Sequence, residues 1–356
     1  MTGAAVEIVR ADLPAERDKW IRTWEDWPSR EVFAHPAYVE LFSGDHDVPA
    51  AAIGHVNGVT VLYPFIVQPL RLQSFWEQSC GNCVDLASPY GYGGPYWGGE
   101  GDRQRAAPIF WRQFDSWAAD ASVVSEFVRL DLHPGRLVPY PGTTEVRLMN
   151  VVRSLDLSPR ELWMDMAHKV RKNVKRARSS GLEVVRDESG TRLEDFARIY
   201  WDTMSRRRAN PRYQFSLEWF QQLIDGLTGQ FVFFHVLRGD TVLSSELVLV
   251  SIDAVYSYLG GTDLAASEVR ANDLLKYEVM LWAQEEGKRE FVLGGGQQPQ
   301  DGILRYKQSF APRGLVPFSI GRRVLDPDRY AALCRRASQD RGVDVAHSDY
   351  FPAYRA

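Results

Sequence analysis

Two spacings alternate along the chain. Short apolar runs with two-residue periodicity are followed by longer stretches whose apolar residues recur every three or four positions, which predicts an α/β protein. In the first part the pattern gives a strand at residues 6–10 and a helix at 14–24 opened by Pro14. A short helix follows at 36–42, with His35 read as a loop or capping residue. Strands at 50–56 and 59–67 flank Asn57-Gly58, a strong hairpin signal. A helix at 103–119 and strands at 126–132 and 145–155 complete this series.

The second series opens with Ser158 and Glu161, spaced as a capping box, and one helix is expected from there to Gly181. Then come a strand at 182–186, a helix at 193–208, a helix at 217–227 capped by Ser216, and strands at 230–237, 241–250 and 254–259. Gly260-Gly261-Thr262 is expected to end the last of these. A helix through Glu286, capped by Asn272 or Asp273, precedes a strand at 290–293, a short amphipathic helix after Asp301, a strand at 315–320 and a helix at 330–337. The last residues read as a poorly ordered tail. One β/α series closes and another opens near residues 145–160, so the expected domains are 1–150 and 151–356.

Composition agrees with a folded chain. Of 356 residues, 45% are hydrophobic and 12% aromatic, enough for substantial cores. The opening MTGAAVEIVRADLPAERDKW lacks a basic segment followed by an apolar run, and no apolar run approaches the roughly 18 residues of a membrane span. A soluble, cytoplasmic protein is expected. Charge is uneven: residues 1–150 hold 12 Lys+Arg against 19 Asp+Glu, and the remainder holds 30 against 27. A polyanion site therefore belongs to the second half. Cys80 and Cys83 have C-x-x-C spacing, but no further ligand pair accompanies them, so they read as packed thiols and no metal is expected. Serine-hydrolase, zincin, P-loop and dinucleotide motifs do not occur.

Four stretches carry candidate chemistry. In LGGGQQPQDGILRYKQSFAP, Gly294, Gly295 and Gly296 let backbone approach backbone or ligand closely. Asp301 precedes a short element bearing Arg305 and Lys307, so cations stand just beyond a glycine-lined strand end. The 158–181 helix carries Lys169, Arg171, Lys172, Lys175, Arg176 and Arg178, a solvated face or a phosphate-backbone contact surface. Residues 84–97, VDLASPYGYGGPYW, read as an aromatic-rich loop in which Tyr90 and Tyr92 offer flat contact area and hydroxyls. Glu246 lies inside a strand, where a carboxylate either faces outward or belongs to a site. Tyr256 and Tyr258 share one face of the next strand.

These stretches resemble the FemABX family, aminoacyl-tRNA-dependent peptide-bond-forming transferases with a GNAT-like fold. The resemblance is carried by GGG…DGI…RYKQSF, by RKNVKRARSSGLEV, by TMSR followed by a tyrosine-bearing loop, and by SPYGYGGP. It implies two tandem GNAT-like (acyl-CoA N-acyltransferase-like) α/β domains with mixed sheets and a cleft between them. It also implies attack by the amine of a small-molecule or peptide acceptor on an aminoacyl-tRNA ester. Arg206 and Tyr213 then become candidates for a phosphorylated acceptor, and the basic helix for tRNA. Lys307 becomes the candidate for the developing negative charge, with Glu246 and Asp301 as weaker candidates for a base. Aminoacyl-tRNA serves as co-substrate and no cofactor is expected. Loop 262–272 has no glycine after Gly261 and includes two acids, unlike the Q/R-x-x-G-x-G/A loop of acyl-CoA users. No long heptad insertion occurs, which leaves cell-wall precursor and natural-product acceptors equally open. An acyl-CoA N-acyltransferase and a non-catalytic tRNA-binding protein are the alternatives.

Overall fold

A computed structural model describes residues 6–78, 81–266, 268–298 and 301–356. Cys80 of the C-x-x-C pair, Ser267 of the loop before the 271–285 helix, and Pro299 and Gln300 of the glycine-rich stretch lie outside these residues. The chain forms two compact units, one of residues 1–147 with 318–356 and one of residues 148–317.

The first unit begins with β1 (Val6–Arg10), α1 (Pro14–Glu25) and α2 (Pro36–Glu40), which His35 caps by accepting from the Ala37 amide at 3.2 Å. β2 (Val48–Val56) and β3 (Val59–Pro69) form a full antiparallel hairpin. Asn57 and Gly58 both take positive φ (48° and 76°), the conformation a two-residue hairpin turn demands. β4 (Val84–Ala87), β5 (Tyr96–Gly99), α3 (Arg103–Asp120) and β6 (Val123–Arg129) follow. β4 pairs parallel with β6, while the other ladders here are antiparallel, so the sheet is mixed. α3 buries Ala106, Phe110 and Phe114 against the inward residues of β2 and β3. The stretch expected to be all loop thus contains two short strands, β4 and β5. Their apolar residues Leu86 and Tyr96 are buried, and ladder bonds to β3 override the local glycine and proline signals.

The second unit takes its first strand from β7 (Thr143–Ser154) and continues through α4 (Pro159–Asp165), α5 (His168–Ser179), β8 (Glu183–Asp187), α6 (Leu193–Arg206) and α7 (Leu217–Gly226). β9 (Phe231–Arg238), β10 (Thr241–Val250), β11 (Ala254–Thr262), α8 (Ala271–Glu285), β12 (Glu290–Gly295) and α9 (Gly302–Gln308) complete it. Its strands lie in the order β7-β12-β11-β10-β9-β8, with β11 and β12 parallel and the rest antiparallel. α8 buries Leu274, Leu275, Val279, Met280 and Ala283 in the core of this unit. α5 adds Val170, Val174 and Ala177. On the other face α6 presses so closely that a Cβ at Gly261 would meet the Ile199 carbonyl at 2.6 Å.

Several boundaries differ from the sequence pattern for identifiable reasons. The expected single helix 158–181 is two helices. The Ser158–Glu161 capping box forms, but Met166 and Ala167 are extended, and the Ala167 amide bonds the Ser309 carbonyl at 2.9 Å. Tertiary bonding thus replaces intrahelical bonding at that point. Gly260, Gly261 and Thr262 continue β11 instead of ending it, because β10 supplies ladder partners for all three. Arg270, in the left-handed conformation (φ 61°), precedes α8, so Asn272 and Asp273 lie in its first turn and do not cap it.

The C-terminal segment corrects the expected domain limits. β13 (Leu315–Val324) pairs through residues 320–324 with β6, and α10 (Pro327–Arg341) also belongs to the first unit. The final residues are not a loose tail. Tyr354 is buried, with its hydroxyl on Asp85 (2.5 Å) and Ser125 (3.1 Å), and Arg355 Nε donates to Asp85 at 2.8 Å. Cys83 and Cys334 are buried in the same cluster.

Candidate active site

The parallel ladder between β11 and β12 covers only three residue pairs and ends at Tyr256↔Val292. β11 continues to Thr262 and β12 to Gly295, so the two strands part. A bulge relative to β10 follows at once, with Ser257 opposite Val248 and Leu259 opposite Leu247. Tyr258 is the extra residue, which interrupts the alternation expected to hold Tyr256 and Tyr258 on one face. Parted strands leave main-chain and side-chain groups without ladder neighbours, the local condition a ligand site needs.

A charged cluster occupies this fork. Lys276, from the middle of α8, donates to Glu246 Oε1 of β10 at 2.6 Å and to Ser257 Oγ of β11 at 2.5 Å. Lys276 and Glu246 are both buried, and the ammonium lies 5.9 Å from the Phe291 ring centroid. Lys307, from α9, donates to the Gly295 carbonyl at 2.8 Å. Burial pushes the Lys307 pKa down to about 8, helped by the Lys276 charge and opposed by Glu246 and Asp301. Two lysines and one carboxylate therefore influence one another at the end of the parallel ladder.

Neighbouring groups hold these in place. Asp301 caps α9, accepting from the Leu304 amide at 2.7 Å and from the Gln297 and Gln298 amides at 2.6 and 3.2 Å. Burial acts to raise its pKa, but these backbone donors outweigh that and hold it below the usual value. A carboxylate so engaged is a poor proton acceptor, which corrects its reading as a base. Glu246 is likewise engaged, by Lys276. Tyr306 Oη accepts from Asn272 Nδ2 at 2.9 Å, and burial, with Asp273 and Glu246 adding to it, pushes its hydroxyl far above the ordinary tyrosine range. Asp273 Oδ1 accepts from Asn173 Nδ2 of α5 at 3.0 Å, while burial raises the Asp273 carboxyl.

The glycines act through packing. A Cβ on Gly295 would lie 2.7 Å from Asn150 Oδ1, and one on Gly296 would strike the Asp301 carboxylate. Gly295 thus allows β12 to lie against β7, and its carbonyl is the acceptor that fixes Lys307.

The remaining sequence candidates make contacts of their own. Arg305 is exposed on α9. Arg206, exposed at the end of α6, donates to the Thr262 carbonyl at 2.8 Å, tying α6 to the end of β11. Tyr213 receives a bond from Arg212 at 3.1 Å, with that guanidinium 4.9 Å from its ring centroid. Tyr90 and Tyr92 belong to the first unit. The Tyr90 carbonyl accepts from Tyr38 Oη at 2.7 Å, and Tyr92 packs edge-on against Phe33 and Phe318. The cations of α5 divide into two groups. Arg171 turns back to the Met164 and Met166 carbonyls (2.7 and 2.5 Å), and Arg178 pairs with Glu278 at 2.7 Å. Lys169, Lys172, Lys175 and Arg176 are exposed, with Lys175 6.0 Å from the Trp163 ring centroid.

Sequence reasoning missed Lys276, Ser257, Asp273, Asn272 and Tyr306. One signal was present: in LLKYEVM, Lys276 stands three and four residues before Val279 and Met280, on the apolar side of the helix, and a lysine there must find a buried partner. Among the described residues, no group of three or more His, Cys, Asp or Glu could hold a metal ion.

Residues 165–308, which hold the whole fork, match the acetyltransferase (GNAT) domain family. The solved structure of FemX has a TM-score of 0.63 and 13% identity over 88% of this chain and 97% of that one. The chain carries a GNAT-type fold similar to that of FemX. L-PGS from Bacillus licheniformis is also similar, with TM-score 0.53 and 10% identity over 91% of this chain and 96% of that one. So is the C-terminal domain of a putative lysylphosphatidylglycerol synthetase from Agrobacterium fabrum, with TM-score 0.51 and 12% identity over 89% and 95%. No curated protein sequence matches the chain. The GNAT-type match over residues 165–308 supports acyl transfer as the general chemistry. No helix among the described residues is long and apolar enough to cross a membrane.

Proposed function

We propose that the protein is an aminoacyltransferase that joins the aminoacyl group of an aminoacyl-tRNA to the amine of a small-molecule or peptide acceptor. The observation that carries this reading is Lys307, partly buried and fixed on the Gly295 carbonyl where β11 and β12 part. An activated ester needs a positioned amine and a stabilised oxyanion more than it needs a covalent catalyst. As the amine nitrogen bonds to the ester carbon, the carbonyl π pair moves to oxygen, where the Lys307 ammonium opposes the new charge. Collapse breaks the ester C–O bond. The departing ribose oxygen takes a proton, and the amine nitrogen loses one, so an amide and a free hydroxyl result. A lysine with a pKa of about 8 can give the first proton and recover the second.

Two further features support tRNA over acyl-CoA as donor. The exposed Lys169, Lys172, Lys175 and Arg176 form a cationic side of α5 suited to phosphates. The start of α8, where helix amides could receive a pyrophosphate, instead has Asp273 in its first turn and a non-glycine N-cap, Arg270. The match to an acetyltransferase domain favours the second reading, an acyl-CoA N-acyltransferase.

The test is transfer from a pool of charged tRNAs to an amine library, with acetyl-CoA as the competing donor, followed by mass spectrometry. Amide products that require charged tRNA are expected, with no thermal shift from acetyl-CoA. Acetylated products and a thermal shift with acetyl-CoA would replace this reading by the second.

A further inference from the structure

Ser257 is the first residue of β11 beyond its parallel ladder with β12 and adjoins the bulge residue Tyr258. It is half-buried, whereas Glu246 and Lys276 behind it are buried. Its Oγ accepts from Lys276 Nζ at 2.5 Å, and the same ammonium donates to Glu246 at 2.6 Å. A lysine carrying its full set of protons has no lone pair for the serine hydrogen. The Ser257 O–H is therefore turned away from Lys276. Among the described residues it has no hydrogen-bond acceptor. It is a hydroxyl whose oxygen is polarised from behind by a buried ammonium and whose hydrogen is available in front.

Lys307 is a second side-chain donor at the fork. Lys307 reaches it from β12's side through α9, anchored on Gly295 O, and is close enough to Lys276 for the two charges to interact. Ser257 of β11 and Lys307, held on the last residue of β12, thus both stand where the parallel ladder ends, and two donors to one oxygen are the means by which an oxyanion is held.

We propose that Ser257 is a catalytic hydrogen-bond donor to the developing oxyanion, acting with Lys307 and polarised by the Lys276–Glu246 pair. This rests on the transferase reading above. In the step concerned, the carbonyl oxygen gains the π pair as the C–N bond forms, and Ser257 O–H and the Lys307 ammonium donate to it. Ser257 forms no covalent bond and keeps its proton. On collapse the pair returns to the carbon, and the ester oxygen leaves with its electrons. Ser257 is thus distinct from a serine nucleophile, because the base such a nucleophile needs is here a protonated lysine held by a carboxylate.

The experiment compares the wild-type enzyme, Ser257→Ala and Ser257→Thr in single-turnover and steady-state transfer from charged tRNA, with thermal melts of all three. Expected are a fall in kcat of about 10²-fold for Ser257→Ala, with KM for both substrates within about twofold. Ser257→Thr, which retains a hydroxyl, should recover most of the rate. The alkaline limb due to Lys307 should stay near pH 8 in Ser257→Ala, since Ser257 does not act through that lysine. An unchanged kcat in Ser257→Ala overturns the proposal. So does an equal loss in Ser257→Thr at wild-type melting temperature, and so does a displaced alkaline limb. If the wild-type enzyme transfers from no charged tRNA, the transferase reading fails and takes this proposal with it. Wild-type transfer with an unaffected Ser257→Ala overturns the proposal alone.

Discussion

At the scale of single residues, charge in a partly dry place decides behaviour. Lys307 has a pKa lowered to about 8 from 10.5, so between those values the folded protein binds fewer protons than the unfolded chain. For this group stability therefore rises with pH across that window and is at its lowest below it. Lys307→Met should not lower the melting temperature at pH 7, yet should reduce kcat by about 10²-fold or more. Preserved transfer by Lys307→Met would remove the lysine from the mechanism. Activity in the wild type should fall as pH rises through about 8, as the ammonium is lost. Lys307→Arg, charged at every accessible pH, should lose that alkaline limb even if it is slower.

Glu246 presents the opposite case. Its carboxylate balances a buried ammonium, so Glu246→Ala leaves Lys276 charged and unpaired. A loss of about 3–5 kcal/mol is expected in urea denaturation. A loss under about 1 kcal/mol would mean that water reaches the pair and solvates it as at a surface.

At the scale of elements, α5 shows why six cations in ten residues are not one feature. Arg171 is used in joining α4 to α5, and Arg178 in joining α5 to α8, which leaves four exposed cations. Lys172→Glu with Arg176→Glu is expected to weaken tRNA binding and flatten the slope of log K against log salt by about two. An unchanged slope would make this an ordinary solvated face. Arg171→Ala should instead lower the melting temperature, since two carbonyls at the α4–α5 break lose their donor.

The turn before α9 has its own constraint. Gly296→Ala would push a methyl into the Asp301 carboxylate that caps α9. A cost of about 1–3 kcal/mol is expected, with a proportionate loss of activity because Lys307 is carried by the same helix. Denaturation and transfer assays on one preparation would show whether the two losses track each other.

At the scale of the whole molecule, the two compact units are not two consecutive lengths of chain. The last 39 residues pack with the first unit, where Tyr354 and Arg355 cover the buried Asp85 carboxylate. Deleting residues 351–356 would open that site to water and remove a buried tyrosine. A lower melting temperature for the truncated chain is expected, and an unchanged melt would show that these residues contribute no stability.

Local pattern alone specifies most elements and the fold class. Spacing of two or of three to four residues places apolar side chains on one face, a local property readable without contacts. The Asn57-Gly58 hairpin, the Ser158–Glu161 capping box and the position of Lys307 just past three glycines are of this kind. Contacts between residues distant in sequence set where strands stop, which helix breaks and which charges meet. β11 runs through two glycines because a neighbour offers ladder bonds, and α4 and α5 separate because a distant carbonyl, Ser309, takes the Ala167 amide. Glu246, Ser257 and Lys276 come from two strands and a helix, up to 30 residues apart in sequence. A buried ammonium must find its partners wherever the fold supplies them, and no local pattern encodes those partners.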